Sequence, residues 1–161
     1  TEDRKQQGLF LNLSVKNNIN STVIERIARH QLLSNRREAE NANTYVAKLG
    51  IKVAGIDQLI SSLSGGNQQK AMIAKWLSVA PTVIFMDEPT RGIDVGAKSE
   101  IHNMLRDLAK QGIGVIMISS ELPEIIGMCD RVIVMHEGRI TGEVMGSEIT
   151  EKNIIMLASG Q

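Results

Sequence analysis

Apolar and polar positions change rhythm near Leu63. Across 36–49 (RREAENANTYVAKL), Ala39, Ala42, Val46 and Leu49 recur at helical spacing with charges between them, and Gly50 follows as a stop signal. The spacing predicts an amphipathic helix, with a weaker run of the same kind at Val23, Ile24, Ile27 and Ala28, while Asn17, Asn18 and Asn20 read as loop or cap residues. After Leu63 helices and apolar runs alternate. The pattern predicts a helix near 66–79, a strand at 82–87 (TVIFMD), a helix over 96–110, a strand at 114–119 (GVIMIS), a short helix at 121–127 and a strand at 131–135 (RVIVM). His136-Glu137-Gly138 then turns the chain into RITGEV, and Ile149, Ile154, Ile155 and Leu157 mark a terminal helix whose apolar face is for packing. Short apolar runs without alternation, separated by helices, predict an α/β fold built on a parallel sheet covered on both faces.

Composition narrows the class. The 161 residues suit one domain, and with 42% apolar and 22% charged residues the chain reads as globular. Lys plus Arg and Asp plus Glu both number 18, so no basic surplus points to nucleic acid. Cys129 is the single cysteine and has no disulfide partner or metal-ligand cluster around it in sequence, which fits a reducing compartment and an inert packed thiol. No apolar run reaches the roughly 18 residues that suggest a membrane span. Any membrane association is therefore expected through a partner.

Two stretches carry chemistry. In Leu63-Ser64-Gly65-Gly66-Asn67-Gln68-Gln69-Lys70 two glycines open a helical pattern. A helix N-terminus offers unpaired N–H groups and a positive dipole end, glycines let a phosphate approach the backbone, and Ser64 adds a hydroxyl. Alone, the run reads first as a Ser cap with permissive glycines. Further on, an apolar strand ends at Asp87-Glu88-Pro89-Thr90. Ligands of parallel α/β sheets bind at the carboxyl ends of strands, which places both acids beside a bound nucleotide. Asp87 suits Mg²⁺, held through a water, and Glu88 suits polarising the water that attacks a γ-phosphate.

LSGGNQQK, VIFMDEP and Arg91-Gly92-Ile93-Asp94, in this order and spacing, resemble the signature, Walker B and D-loop motifs of ATP-binding-cassette (ABC) ATPases. EPTRGIDVGAKSEI, ISSELPEI and DRVIVMHEGRITGEV are similar to the second, C-terminal cassette of the fused double-cassette ATPases of bacterial monosaccharide importers, the ribose-type group above all. The resemblance runs from about Thr1 to Val144. It implies the P-loop NTPase fold with a helical signature subdomain at about 10–80, a Walker B core sheet at about 81–148 and a C-terminal helix at 149–161. It also implies ATP and Mg²⁺ as ligands and a partner cassette whose nucleotide is completed by Ser64, Gly65, Gly66 and Gln68. Asp94 is implied in communication between cassettes, although an N-cap role explains it equally. Transmembrane permease subunits at the cytoplasmic face of the inner membrane are further implied partners, with a periplasmic sugar-binding protein acting indirectly.

Two departures qualify the resemblance. No G-x-x-x-x-G-K-[ST] phosphate loop occurs in these 161 residues, so the chain is expected to be an ABC cassette lacking the P-loop strand and helix, truncated before the Q-loop and inactive alone. The uncovered sheet then predicts self-association or a rearranged edge. Second, Ser120 occupies the place of the switch histidine, and a hydroxyl is no substitute for an imidazole in proton transfer near neutral pH. A hydrolytically degenerate regulatory cassette is thus the alternative to an active ATPase, and a DNA-repair or translation ABC ATPase is disfavoured by the neutral charge. Glu2 falls near the Q-loop glutamine position and reads equally as an exposed acid. His30, His102 and His136 read as surface or turn residues, and Trp76 and the eight methionines as core or interface packing.

Overall fold

The computed structural model describes residues 8–28 and 32–160; Glu2 and His30 lie outside the described residues. The chain divides into two compact units, Thr1–Ile118 and Ser119–Gln161.

The first unit begins with helices α1 (Val15–Asn20), α2 (Ile24–Ile27), α3 (Asn35–Lys48) and α4 (Gly65–Leu77). Ser34 caps α3, its hydroxyl accepting from the Arg37 N–H. The helix ends as Gly50 predicts: this residue takes φ +57°, and the Ile51 and Gly50 N–H groups return to the carbonyls of Val46 and Ala47. α1 packs against α3 and α4, burying Val15, Ile19, Ala42 and Ile73. The asparagines expected in a loop or cap lie in α1 instead, and Asn18 and Asn20 are buried. Helix is tolerated there because their polar atoms are satisfied. Asn18 accepts from the Phe10 N–H and donates to the Phe10 and Ser14 carbonyls, while Asn20 donates to the Glu38 carbonyl and accepts from Asn41. Carbonyls at the end of α4 and at its cap residue Ser78 are met by donors from the preceding segments: Thr22, between α1 and α2, to Lys75, Tyr45 of α3 to Leu77 and Arg26 of α2 to Ser78.

From α4 the chain enters strand β1 (Val83–Asp87), helix α5 (Val95–Lys110) and strand β2 (Gly114–Ile118). β1 and β2 pair in parallel with Val83 opposite Gly114 and Asp87 opposite Ile118. Ile84 and Met86 are buried, and α5 packs against β2 with Ile101, Leu105 and Leu108 turned inward. Among the described residues the expected cover is found on one face only. Val83 (46%), Phe85 (68%), Ile116 (46%) and Ile118 (55%) share the opposite face and stand exposed.

The second unit corrects the expected third parallel strand. β3 (Arg131–His136) pairs antiparallel with β4 (Arg139–Met145), which contains the segment RITGEV. A short apolar run has the same appearance in either pairing; the deciding feature is the two-residue turn, where Glu137 (φ +47°) and Gly138 (φ +76°) both take the left-handed region favoured in tight hairpins. The short helix α6 (Leu122–Met128) precedes the hairpin and α7 (Glu151–Ala158) follows it. Val132, Val134, Val144, Ile149 and Ile154 form the core, with Leu122, Ile125, Cys129 and Leu157 packed against it. Trp76 and three methionines (135, 145 and 156) are substantially exposed, so the expected core role belongs to Met72 and Met86.

Candidate functional site

The first unit holds two chemical groups of interest. At the start of α4, Ser64 has extended backbone and its side chain accepts no N–H from the first turn. The Ser64 hydroxyl is held from elsewhere: Asn67 donates to it through Nδ2 at 3.0 Å, and Asn67 Oδ1 accepts from the Lys52 N–H at 2.9 Å. Ser64 is exposed, Gly65 half-buried and Gly66 buried. This arrangement suits an anion, with N–H donors and a hydroxyl at the positive end of a thirteen-residue helix. Gln68 lies one turn further in and is buried. It donates to the carbonyls of Ile60 (3.3 Å) and Leu63 (3.1 Å), so its side chain braces the loop that delivers Ser64.

Behind this turn, Lys70 is buried and its ammonium sits 2.7 Å from Glu100 of α5 and 3.1 Å from the Gly50 carbonyl at the end of α3. Lys52 adds a looser contact to Glu100 at 3.7 Å. The Lys70 hydrogen bond and charge, with Lys52 assisting, hold the Glu100 carboxyl below the usual carboxylate range. Lys75, on the same helix, donates to the Gly8 carbonyl and lies 5.1 Å from the Phe10 ring and 5.5 Å from that of Trp76, and burial lowers its pKa.

The second group is the carboxyl end of β1. Asp87 is the last strand residue, and Glu88 follows with φ +45°. An ordinary side chain adopts that backbone at a cost, and here neighbouring bonds impose it. The Glu88 N–H donates to the Ile118 carbonyl of β2 at 2.9 Å, the Arg91 N–H returns to the Glu88 carbonyl at 3.2 Å, and Pro89 and Thr90 are fully buried. Strained backbone held by its surroundings is characteristic of functional positions. Among the described residues no cluster of three or more acidic, His or Cys side chains could hold a metal ion unaided. Asp87 as a single carboxylate fits Mg²⁺, which commonly binds one or two carboxylates together with substrate phosphates. Asp94 caps α5, its Oδ1 accepting from the Ala97 N–H at 2.9 Å.

In the second unit Ser120 is exposed at the start of the segment leading to α6. Its neighbour Ser119 organises that segment, accepting from the Glu121 N–H at 3.1 Å and donating to the buried Glu124 at 2.5 Å. The Cys129 thiol is half-buried and held above its ordinary range, first by burial and then by the charges of Asp130 and Glu124, as befits an unreactive thiol. Asn67, Lys70, Glu100 and Ser119 are supporting residues that the motif reading passed over. The first was accessible, since Ser64 and Asn67 stand three apart as the partners of a capping box do.

A family model of the ABC transporter matches residues 3–91, across both chemical groups. The chain belongs to the ABC transporter family. Over 160 residues it is 58% identical to the ribose import ATP-binding protein RbsA 2 of Rhizobium meliloti (strain 1021), covering 99% of this chain and 31% of that protein. Over 161 residues it is 53% identical to the ribose import ATP-binding protein RbsA of Ruegeria sp. (strain TM1040), covering 99% and 32%. The chain thus spans about a third of the length of these curated relatives, and the homology runs along its whole length. Among solved structures, cbiO1 from Clostridium perfringens, part of the ABC transporter complex cbiONQ, superposes with a TM-score of 0.75 at 28% identity over 96% of this chain and 59% of that one. The ATP-binding cassette MJ0796, in a dimer bound to ADP and Pi, shares the fold with a TM-score of 0.72 at 22% identity over 87% and 60%. This ABC chain therefore shares part of the P-loop NTPase fold, an α/β arrangement containing a parallel sheet and helices.

Proposed function

We propose that this chain is part of the ATP-binding subunit of a sugar importer of the ribose type, in which ATP binding and hydrolysis drive monosaccharide uptake. The observation that carries the reading is Glu88, a carboxylate fixed in strained backbone at the carboxyl end of β1, directly after Asp87. Its role is to orient and polarise the water that attacks the γ-phosphate. Asp87 would hold Mg²⁺, through a water, and the ion would neutralise charge on the phosphates. The start of α4 does not serve the same nucleotide. Its Ser64 hydroxyl and the N–H groups of Gly65 and Gly66 close on the ATP of a partner cassette, with Gln68 bracing the loop and Asp94 capping α5.

Permease subunits in the membrane would convert closure of the cassettes into transport at the cytoplasmic face, and a periplasmic sugar-binding protein would supply the sugar. The sugar assignment rests on relatives named for ribose import at 53–58% identity. Among the described residues no helix is long and apolar enough to cross a membrane, which fits a peripheral subunit.

Ser120 favours a second reading, a degenerate regulatory cassette, because a serine hydroxyl does not shuttle protons as an imidazole does. Glu88→Gln in the intact protein separates the two. Loss of turnover by roughly 100-fold or more with ATP binding retained is expected if Glu88 acts on the water. Unchanged ATPase and transport would remove any catalytic role from this cassette and leave the regulatory reading.

A further inference from the structure

Gly66 is the more deeply set of the two glycines at the start of α4, and its surroundings are protein. A Cβ placed on it would lie 2.6 Å from the Cβ of Ala97 and 3.6 Å from Cγ2 of Ile93. Carbon atoms rest at about 3.5–4.0 Å, so a methyl group there would force the two backbones apart by about 1 Å. Ala97 has no rotamer that could turn its methyl group away, and it lies in the first turn of α5, where its N–H is already held by Asp94. One turn along α4, Lys70 reaches the same helix at Glu100. The two contacts fasten the beginning of α4 to the beginning of α5 at successive turns.

We propose that Gly66 is a positioning residue: its missing side chain is required by helix α5, not by a bound nucleotide, and with the Lys70–Glu100 pair it locks the Ser64–Gly66 turn to the Asp94-capped helix so that the two move as one piece. The inference deepens the proposed function, because it says what sets the orientation of the anion-binding turn. It assigns Gly66 a role in holding the turn, in addition to the backbone N–H that any residue would offer there.

A size exchange in the intact protein tests it, using Gly66→Ala, Ala97→Gly and the double variant. Gly66→Ala is expected to lower kcat for ATP roughly 10- to 100-fold, the scale of a misplacement of about 1 Å, with a smaller change in KM because the turn closes on a nucleotide held elsewhere. Ala97→Gly alone should keep kcat within about threefold of the parent, since a glycine in a first helical turn is a mild change. The double variant removes the clash and should recover kcat to within about threefold of the parent. If the double variant stays as impaired as Gly66→Ala, or if Gly66→Ala is fully active, the proposal is wrong. Thermal stability of the same variants is the readout independent of ATP. Packing predicts that the melting temperature falls in Gly66→Ala and returns in the double variant, even if Gly66→Ala folds poorly or the intact protein turns over no ATP. No recovery there would also overturn the proposal, whereas recovery in a protein without ATPase would overturn only the functional reading beneath it.

Discussion

At Glu88 backbone strain and chemistry coincide. A side chain at φ +45° is held where glycine would be at ease, and the ladder bond from its N–H to Ile118 keeps the residue there. This makes a prediction that separates stability from activity. Glu88→Gly should be more stable than Glu88→Ala by about 1 kcal/mol, because only glycine relaxes in that conformation, and denaturant unfolding of the two variants measures the difference. Both should lack turnover. Equal stabilities would mean that the position is not strained. The acids, the Ser-Gly-Gly turn and the Asp94 cap were legible as residues because each depends on local order: a strand end, a helix start, a side chain three residues before its N–H. Asn18 was not. An asparagine reads as a breaker of helix, and only the fold brings Phe10 close enough to satisfy it.

Helices α4 and α5 are held together by a buried cation facing a half-exposed anion, and the asymmetry is testable. Removing the Lys70 charge leaves Glu100 in contact with water, but removing the Glu100 charge leaves the ammonium buried against one carbonyl. Glu100→Ala should therefore lower the melting temperature more than Lys70→Met does, and the reverse order would contradict the geometry. The depressed pKa of Glu100 sets the pH dependence. The folded state holds this carboxylate ionised more firmly than the unfolded chain does, so the pair stabilises fully above the ordinary glutamate range. That stabilisation is lost as pH falls from there through the lower folded value. Glu100→Gln should flatten the acid limb of the stability profile in that window and leave its shape near neutrality alone; solvent screening at the half-exposed carboxylate keeps the effect modest. Elements along the chain were legible from periodicity, including the α3 stop at Gly50. Pairing was not: the apolar run 131–135 carries no mark of its partner, and the left-handed pair at Glu137-Gly138 decides that it folds back on 139–145.

For the whole molecule, the exposed face of the β1–β2 sheet is the main physical liability. The alternation of Val83 and Phe85 with Ile84 and Met86 offers apolar groups on both faces, and among the described residues only one face is covered. In solution the 161-residue chain should self-associate, and Phe85→Glu should shift sedimentation toward monomer; a monodisperse parent at high concentration would contradict this. The same 161 residues hold the Ser-Gly-Gly turn and the two carboxylates but no phosphate loop of the form G-x-x-x-x-G-K-[ST], and we propose that this division of parts leaves them unable to bind a nucleotide by themselves. Calorimetric titration of the chain with Mg²⁺-ATP to millimolar concentration tests that division most directly. No detectable heat of binding is expected. Micromolar affinity would mean that these residues hold a nucleotide by themselves, and the separation between the α4 turn and the acids of β1 would be wrong.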